Sequence, residues 1–453
     1  MADARYLEDA SGFRGFASRV FVPDGADETA SILAEAVRAE TPVTVAGAGT
    51  GVTGGRVPQG GWVISTEKLT RIEIDGDTAR VGAGVALRDL HAAAERAGRL
   101  YPPDPTEWTA SVGGTIGANA SGSRSFLYGA TRRWVRALTV ATMDGRSRRY
   151  ERGEAIGFDV PAIPAPRTTK NTAGYPLRPG MDWVDLFTGS EGTLGAIVEA
   201  ELRLLPTPGR CFTGLVFFPD DAAAIAAVDT WRPIAGLRML EYFDGNSLRL
   251  LRPGIPEIPG GAGAAVLFER EIDGPEGDEA GEWLDRLEAA AALTEESWFA
   301  LAARDRERFR AFRHALPETV NERVRRAGFT KLASDYAVPL DRNLEMLDAY
   351  RRVLGAEFPG RYVVFGHIGD AHVHANILPE SQRDFDRGRD VMTDLARYAV
   401  SLGGTVSAEH GLGKRKAHLL AIQYGAAEID AMKAVKARLD QAWLLGRGTL
   451  FAV

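Results

Sequence analysis

The residues best suited to chemistry are five of the chain's seven histidines, which fall within fifty-two residues near the C-terminus. Three share the segment Phe365-Gly-His-Ile-Gly-Asp-Ala-His-Val-His-Ala-Asn-Ile377, and a fourth follows a carboxylate in Ser407-Ala-Glu-His-Gly-Leu-Gly413. Neutral imidazole is the commonest metal ligand in proteins and a proton acceptor near neutral pH. The two segments therefore look like two halves of one site, although structural histidines with ordinary hydrogen bonds would show the same clustering.

The elements that must position these histidines are predicted to be a strand, a turn and a loop. Residues two apart on a strand point to the same face, so His372 and His374 should share a side. His367 precedes a turn at Gly369-Asp370 and can approach from the neighbouring loop. A helix predicted over 384–401 separates this segment from the one that carries His410.

Residues 20–205 are predicted to form an α+β domain that is rich in turns. Short runs of β-forming residues predict strands over 42–46, 62–65, 71–74, 136–141 and 196–204. Apolar residues at three- and four-residue spacing predict helices over 28–39 and 86–97.

The segment Pro206-Thr-Pro-Gly209 is predicted to end this domain, because proline and glycine interrupt regular structure. Beyond it we expect strands over 212–218, 236–242 and 264–270, and helices over 221–231, 280–292 and 304–316. This order predicts a sheet with helices on one face. A helix over 426–441 and an apolar tail, Leu450-Phe-Ala-Val453, close the chain.

Composition excludes several classes of function. A chain of 453 residues exceeds a single hydrophobic core, so two or three domains are expected. The net charge of −7 argues against a nucleic acid as partner. The single cysteine, Cys211, excludes an intrachain disulfide and an iron–sulfur cluster held by the chain's own thiolates. The sequence has no apolar run of membrane-spanning length and no apolar signal-peptide core after Met1, which predicts a cytoplasmic protein.

A glycine-rich loop, Val45-Ala-Gly-Ala-Gly-Thr-Gly-Val-Thr-Gly-Gly55, follows the strand predicted over 42–46. Glycines let backbone N–H groups turn toward an anion, which predicts a phosphate cradle. No Gly-Lys-Ser/Thr follows, so the loop is not a Walker motif, and no helix opens directly after it as a dinucleotide fingerprint requires. Taken alone, the loop is more typical of a flexible hairpin.

Four further motifs accompany this loop: Tyr101-Pro-Pro-Asp-Pro105, Ser111-Val-Gly-Gly-Thr-Ile-Gly-Ala-Asn-Ala-Ser-Gly122, Lys170-Asn-Thr-Ala-Gly-Tyr-Pro-Leu177 and Phe187-Thr-Gly-Ser-Glu-Gly-Thr-Leu-Gly195. With the two histidine segments, their order and spacing resemble the vanillyl-alcohol oxidase superfamily, in particular its D-2-hydroxyacid dehydrogenase branch of D-lactate, D-2-hydroxyglutarate and glycolate dehydrogenases. The resemblance covers residues 20–453. It implies an α+β fold with a two-subdomain PCMH-type FAD-binding domain over 1–206 and an antiparallel-sheet cap domain for substrate over 207–400. A C-terminal helical segment over 401–453 would carry the Glu-His motif and pack back on the FAD domain.

The resemblance also implies which residues bind FAD. The glycine loop would hold the pyrophosphate through Gly47, Ala48, Gly49, Thr50, Gly51, Gly54 and Gly55. The flavin and its ribityl chain would be lined by Pro103, Asp104, Thr109, Ser111, Gly114, Ala118, Asn119 and Gly122, and the adenosine side by Glu191, Gly192 and Ile197. Some members attach flavin covalently through a histidine in this loop, but Gly49-Thr-Gly-Val-Thr53 contains no His or Cys, so non-covalent FAD is expected.

The metal and the base follow from the same resemblance. His367, His374 and Glu409 take the positions of three ligands for a divalent ion such as zinc, manganese or iron, and His410 that of the catalytic base. Many members of the branch read Gly-Asp-Gly-Asn-x-His where this chain has Gly369-Asp-Ala-His-Val-His374. His372 therefore replaces an asparagine and could add a ligand, contact substrate or pack.

The substrate residues are expected on three segments. Arg313 resembles the family's carboxylate-binding arginine, since arginine offers bidentate geometry to a carboxylate. Lys331 is a second candidate contact, at an offset from some relatives, and Asn376 should reach the substrate or the flavin edge. Roles in the site and purely structural roles both stay open for Asp370, Tyr175 and His314, whereas we expect a surface position for His91 and a structural role for His418.

These expectations describe a FAD-dependent, metal-assisted dehydrogenase that oxidises a D-2-hydroxy acid to the 2-oxo acid. The resemblance implies a small 2-hydroxy acid as substrate and an electron-transfer flavoprotein, cytochrome or quinone as external acceptor, and it leaves a homodimer open. One alternative is a non-catalytic or regulatory flavoprotein subunit of a glycolate-oxidase-like complex. Another is an alkyl-glycerone-phosphate-synthase-like transferase that uses flavin without net redox.

Overall fold

The computed structural model describes residues 3–272 and 279–451, so the last two residues of the predicted apolar tail lie outside the described residues. The first half contains strands β1 (Arg19–Phe21), β2 (Val43–Ala46), β3 (Trp62–Ser65), β4 (Ile72–Asp75), β5 (Thr78–Gly82), β6 (Arg99–Leu100), β7 (Val135–Ala141), β8 (Ser147–Glu151), β9 (Ala196–Arg203) and β10 (Leu205–Pro206). Its helices are α1 (Ala26–Arg38), α2 (Leu87–Arg96), α3 (Val112–Ala118), α4 (Ser125–Tyr128) and α5 (Trp183–Phe187).

These elements form two main sheets. Strands β1, β3 and β2 make a parallel sheet, and β4, β5, β9, β7 and β8 make an antiparallel one. Helix α1 presents Leu33 and Ala36 to a shared apolar core, because its buried residues recur at helical spacing. The glycine-rich loop leaves the end of β2 in the parallel sheet, and α3 lies within the second glycine motif, residues 111–122.

The second half is built on one antiparallel sheet of seven strands. Its strands are β11 (Arg210–Phe218), β12 (Leu237–Asp244), β13 (Ala264–Ile272), β14 (Trp298–Ala300), β15 (Leu332–Ala333), β16 (Tyr362–His367) and β17 (His372–Ile377), in the spatial order β14-β11-β13-β12-β16-β17-β15. The accompanying helices are α6 (Asp221–Trp231), α7 (Gly245–Leu251), α8 (Glu279–Ala289), α9 (Glu307–Arg326) and α10 (Asn343–Glu357).

The expectation that helices cover one face of this sheet is wrong. Phe218 on β11 joins a core that includes Trp231 of α6, whereas the neighbouring Phe217 joins a second core with Phe312 of α9. Successive residues of a strand point to opposite faces, so both faces are covered. The sequence carries the reason, because residues 212–218 are a nearly continuous apolar run instead of an alternating one.

Helix α9 is longer than the sequence predicted. The expected end near Pro317 is wrong, since the helix continues to Arg326 with Pro317 inside it. Proline lacks the N–H that would bond to the carbonyl four residues back, so the carbonyl of Arg313 loses its helical partner. The break in the hydrogen-bond pattern therefore falls beside a predicted substrate residue.

The C-terminal segment returns to the first half of the molecule. After α11 (Gln382–Ser401), α12 (Leu420–Gln423) and α13 (Ala426–Leu439), the chain runs beside β2. The N–H of Val43 donates to the carbonyl of Leu444, and the N–H of Gly446 donates to the carbonyl of Val43. Within residues 3–272 and 279–451, no helix combines the length and apolar character needed to cross a membrane.

Burial of both faces of the cap sheet can be tested with two neighbouring alanines. Phe217→Ala and Phe218→Ala should each lower the free energy of unfolding by about 3–5 kcal/mol, because both side chains are fully buried, in different cores. Urea denaturation would measure this, with Phe16→Ala as control because that side chain is 69% exposed. A near-neutral effect at either Phe217 or Phe218 would contradict the two-sided arrangement.

Candidate functional site

Strands β16 and β17 bring three histidines onto one face. The two strands pair antiparallel, with His367 opposite His372 and Phe365 opposite His374. His372 and His374 share a face because they lie two residues apart, and cross-strand partners also share a face. Gly366 makes room for them, since it has a φ of +123° and an added Cβ would lie 2.9 Å from Cδ2 of His374.

The carboxylate of Glu409 faces these imidazoles from the second histidine segment. Its Oε1 lies 3.3 Å from Nε2 of His367 and 3.4 Å from Nε2 of His374. Its Oε2 accepts a hydrogen bond from Oγ of Ser121 at 3.0 Å. The structure therefore brings together the three residues predicted as metal ligands.

The other ring nitrogens of His367 and His374 are held by the protein. Nδ1 of His367 lies 2.5 Å from Oε1 of Glu241, and Nδ1 of His374 donates to the backbone carbonyl of Ser334 at 3.0 Å. Glu241 reaches His367 because β12 and β16 pair Tyr242 with Gly366. Outer partners of this kind fix the tautomer of a metal-ligating histidine and direct its second nitrogen to the ion.

His410 lies beside this cluster and contacts a second buried carboxylate. Its Nδ1 is 3.2 Å from Oδ1 of Asp335, and its Nε2 is 3.8 Å from Oε1 of Glu409. Asp335 is fully buried, and its Oδ2 accepts hydrogen bonds from Oγ of Ser407 and from the N–H of His410. The carboxylate is thereby fixed relative to the segment that carries His410.

The charges in this cluster depend on one another. Burial raises the pKa of Glu409, but the neighbouring His367 and Lys170 outweigh it and leave that pKa well below its ordinary value. Burial lowers the pKa of His410 to about 4, although the Asp335 and Glu409 carboxylates oppose the shift. At neutral pH, Glu409 is therefore ionised and His410 is an uncharged imidazole.

Four buried carboxylates line the cluster, and they outnumber its cationic side chains. Lys170, which is buried, lies 3.3 Å from Asp370 and 3.5 Å from Glu409. Arg313 lies 3.0 Å from Glu241. Within the described parts of the chain, these are the only lysine and arginine within ion-pair distance of the four carboxylates, Glu241, Asp335, Asp370 and Glu409. Burial lowers the pKa of His367, but the Glu241 and Glu409 carboxylates outweigh it and leave that pKa raised, so without an ion this imidazole helps to neutralise the cluster. Metal ligation requires neutral imidazoles, and the cluster then keeps an excess of two negative charges, which suits a divalent cation.

A cavity of about 1050 Å³ opens onto this cluster. His374, Glu409 and His410 contribute to its wall, together with the three predicted substrate residues, Arg313, Lys331 and Asn376. Both amide atoms of Asn376 are buried without a hydrogen-bond partner, so the side chain is available to a ligand. Among the described residues, Lys331 forms no ion pair, and burial together with Lys416 lowers its pKa to about 8.

The glycine-rich loop meets the second glycine motif at the start of α3. The N–H of Ala48 donates to Oγ of Ser111, and an added Cβ at Gly47 would lie only 2.5 Å from that oxygen. Between positions 49 and 55, which the structure describes throughout, no backbone N–H donates to another part of the chain. The loop therefore presents a row of free donors, which is what an anion cradle requires.

The C-terminal histidine segment also contacts this loop. Nζ of Lys414 donates to the carbonyl of Gly55 at 2.9 Å, and the carboxylate of Glu191 accepts from the N–H groups of Leu412 and Gly413. Burial raises the pKa of Glu191 to about 7. The glycine-rich loop and the histidine cluster are thus parts of one connected region.

The remaining predicted FAD residues occupy several environments around α3. Gly114, Ala118, Asn119 and Gly122 belong to α3 or follow it, and Gly192 lies near Val45 on β2, just before the glycine-rich loop. Pro103 is buried and Thr109 is exposed. Asp104 is held by Arg124 at 2.8 Å and by Nε1 of Trp108 at 2.8 Å. Ile197 lies on β9 in the apolar core.

The remaining histidines, His91, His314 and His418, and Tyr175 lie outside the cluster of His367, His372, His374 and Glu409. The expected surface position of His91 is wrong, because its ring is half-buried and stacks on Trp108. Tyr175 is fully buried and bonds through its hydroxyl to Thr193, as a core residue would. His314 is half-buried on α9, and His418 is exposed.

Sequence reasoning missed Glu241, Asp335 and Lys170. Glu241 and Asp335 are buried acids that stand next to apolar residues in the sequence, whereas Lys170 lies among Thr and Asn residues and gives no such signal. Burying an unpaired charge is costly, so such residues are candidates for a site. Glu241, which stands between Leu240 and Tyr242 on β12, gives the clearest signal of the three in the sequence.

Both halves of the chain match known protein families. Residues 17–150 match the FAD binding domain family, and residues 208–450 match the C-terminal domain family of FAD linked oxidases. The chain is 31% identical to the glycolate oxidase subunit GlcD of Bacillus subtilis, an alignment that covers 99% of this chain and 92% of that protein.

Two further relatives carry dehydrogenase names. The D-lactate dehydrogenase of Archaeoglobus fulgidus is 30% identical, over 95% of this chain and 90% of its own length. The D-2-hydroxyglutarate dehydrogenase of Xanthomonas citri pv. viticola is 31% identical, over 95% and 89%. A solved structure of alkyldihydroxyacetonephosphate synthase superposes with a TM-score of 0.67 at 15% identity, covering 94% of this chain and 76% of that one, which shows a shared fold.

The packing at Gly122 yields a test of flavin binding. An added Cβ at this position would lie 2.0 Å from the carbonyl oxygen of Asp104, so Gly122→Ala must push the two segments apart. We expect the ratio of bound FAD to protein to fall at least about tenfold, because a shift of one ångström is enough to spoil a binding geometry. Gly157→Ala is the control, since an added Cβ there meets nothing within 4 Å. Full flavin occupancy in Gly122→Ala would contradict a role for this packing.

Proposed function

The chain belongs to the FAD-linked oxidases, and on that basis we propose that it is a metal-assisted dehydrogenase that oxidises a small D-2-hydroxy acid to the 2-oxo acid. It is a FAD-dependent oxidoreductase. The observation that carries the proposal is the meeting of His367, His374, Glu409 and His410 at the wall of one cavity. The names of the relatives, which act on glycolate, D-lactate or D-2-hydroxyglutarate, support the substrate class.

The residues proposed to hold a divalent metal are His367, His374 and Glu409. Nε2 of His367 and Nε2 of His374 both face Oε1 of Glu409, and the Nδ1 atoms of the two histidines are bonded to Glu241 and to the Ser334 carbonyl. The excess of negative charge in the cluster supports a dication of the zinc, manganese or iron kind. When bound, such an ion supplies Lewis-acid stabilisation of the substrate's hydroxyl oxygen.

His410 is proposed to remove the hydroxyl proton. Asp335 lies 3.2 Å from Nδ1, which favours the tautomer that carries its proton there and leaves the lone pair on Nε2 for the substrate. The imidazolium that forms after proton transfer is then stabilised by the same carboxylate. Asp335 acts through His410 and is therefore a positioning residue.

Arg313 is proposed to bind the substrate carboxylate. Its Nε contacts Glu241 and its Nη1 donates to Oγ of Thr106, which fixes the guanidinium plane at the cavity wall. Within the described residues Nη2 donates to no partner and is available to a carboxylate oxygen. Asn376, with its unpartnered amide, is placed to bind the same substrate.

Lys331 supports a substrate that carries a second acidic group. It lines the cavity together with Lys416, and in the described parts of the chain neither lysine forms an ion pair. Two cationic groups in a partly buried wall repel each other, and an anion bound between them offsets that repulsion. We therefore rank a dicarboxylate of the 2-hydroxyglutarate or malate kind above lactate and glycolate.

FAD, when bound, supplies the hydride acceptor of this reaction. The glycine loop and the residues around α3 are proposed to bind it non-covalently, because no His or Cys occurs in Gly49-Thr-Gly-Val-Thr53. An electron-transfer flavoprotein, cytochrome or quinone as acceptor, a cytoplasmic location and a homodimer stay predictions, as do the domain limits 1–206, 207–400 and 401–453.

The test of this function is anaerobic reduction of the bound flavin. The purified protein is mixed with the D- and L-forms of lactate, malate and 2-hydroxyglutarate, and with glycolate, while the visible absorbance of flavin is recorded. We expect a D-acid to bleach it, chelator treatment to abolish bleaching, and Mn²⁺ or Zn²⁺ to restore it. Glu409→Gln should lose bleaching while keeping its flavin, because the mutation removes a charged ligand.

Three results would contradict the proposal. Bleaching by L-acids alone would overturn the stereochemical assignment. Undiminished bleaching after verified metal removal would exclude metal assistance. A flavin-loaded protein that no acid reduces would favour the non-catalytic subunit of a glycolate-oxidase-like complex instead.

The role of His410 is tested by replacing it with asparagine. His410→Asn should lower kcat by about 100- to 10,000-fold, since that is the usual contribution of a positioned general base. The contents of FAD and metal should stay at wild-type levels, which separates loss of the base from loss of the site. His418→Asn is the matched control, because this exposed histidine lies in the wall of the same cavity but, within the described residues, forms no ion pair with Asp335 or Glu409. A His410→Asn enzyme with more than a tenth of the wild-type kcat would rule out this role.

A further inference from the structure

His372 is a buried imidazole without a hydrogen-bond partner. Its side chain is fully buried, and neither Nδ1 nor Nε2 forms a hydrogen bond. Oδ1 of Asp335 lies 3.2 Å from Nε2, but the contact is not aligned as a hydrogen bond. An unsatisfied buried polar group costs about 1–3 kcal/mol, so a side chain of this kind calls for a ligand or a strained role.

The position of His372 points to a ligand. It lies on β17 on the same face as His374, with the two ring centroids 4.5 Å apart, and opposite His367, whose centroid is 5.3 Å away. Nδ1 of His372 lies 4.0 Å from Oε2 of Glu409. One ligand atom from each of these four residues lies within 4.8 Å of all the others.

The distances between these ligand atoms are close to those between ligand atoms that bind one metal ion. With metal–ligand bonds of about 2.0–2.2 Å, two ligands on adjacent positions are about 3 Å apart and two on opposite positions about 4.2 Å apart. Small rotations of the four side chains would bring them into that range. The hairpin that presents His367 and His374 to the ion therefore presents His372 to it as well.

We propose that His372 is a fourth protein ligand, which makes the metal site one of three imidazoles and one carboxylate. This inference rests on the metal site of the proposed function and adds His372 to it. His367, His374 and Glu409 are the other three members.

The fourth ligand narrows the choice of metal. A 2-hydroxy acid that chelates through its hydroxyl and carboxylate oxygens takes two positions, so four protein ligands and the substrate make six. Zinc in proteins favours four ligands and reaches five in catalytic sites. Six-coordination by nitrogen and oxygen suits manganese or iron better, and we expect one of these to support the faster flavin reduction.

The experiment compares the wild-type holoenzyme with His372→Asn, which removes the imidazole and keeps a polar side chain of similar length. Both proteins are freed of metal with chelator and loaded with Mn²⁺. The affinity is measured by competition with a metal indicator, and the imidazoles bound to the ion are counted by X-ray absorption spectroscopy. His418→Asn is the control for loss of a histidine elsewhere.

We expect three bound imidazoles in the wild type and two in His372→Asn, with affinity for Mn²⁺ lowered by about 10- to 100-fold or more, the loss found when even an outer partner of a ligand is removed. Two imidazoles and unchanged affinity in both proteins would overturn the inference and leave the proposed metal site intact. If neither protein binds Mn²⁺ or Zn²⁺, the metal of the proposed function fails and the fourth ligand with it. Should His372→Asn not fold, as judged by its FAD content, the imidazole count of the wild type alone decides between three and two.

Discussion

The carboxylate of Glu409 is the point at which the three parts of the chain meet. Ser121 and Lys170 reach it from the first half of the molecule, His367 and His374 reach it from the cap hairpin, and Glu409 itself belongs to the C-terminal segment. A buried carboxylate is stable only where donors and cations surround it. Since these come from different parts, the site exists only when all three are docked. Docking the parts and assembling the site are therefore the same event.

A second group of carboxylates holds the imidazoles in place. Glu241 contacts both His367 and Arg313, so one side chain orients a proposed metal ligand and a proposed substrate anchor. Asp335 lies beside both His372 and His410, and so connects a proposed metal ligand with the proposed base. Changes at Glu241 or Asp335 should therefore affect two functions together, although neither residue touches the reacting atoms.

The sequence was sufficient for the parts that depend on local patterns. The spacing of His372 and His374 predicted a shared face, and the strands predicted from runs of β-forming residues lie within two or three residues of the observed ones. It was insufficient where partners come from distant strands. Nothing local to Glu241 shows that β12 pairs with β16, and nothing near Asp335 shows that it faces His410. The two-sided sheet was missed because a continuous apolar run was read as an ordinary strand, although such runs are typical of strands buried on both faces.

The contact of Lys414 with the glycine-rich loop has a consequence for how the protein is made. Lys414 bonds to the carbonyl of Gly54 across 360 residues of sequence. At a synthesis rate of about 5–20 residues per second, the loop emerges from the ribosome roughly 20–70 s before the residue that braces it. During that interval the nascent N-terminal half has no C-terminal partner with which to close over a nucleotide. The contact of Lys414 with the loop can therefore form only after the C-terminal segment has been synthesised and has folded back on the first half of the molecule.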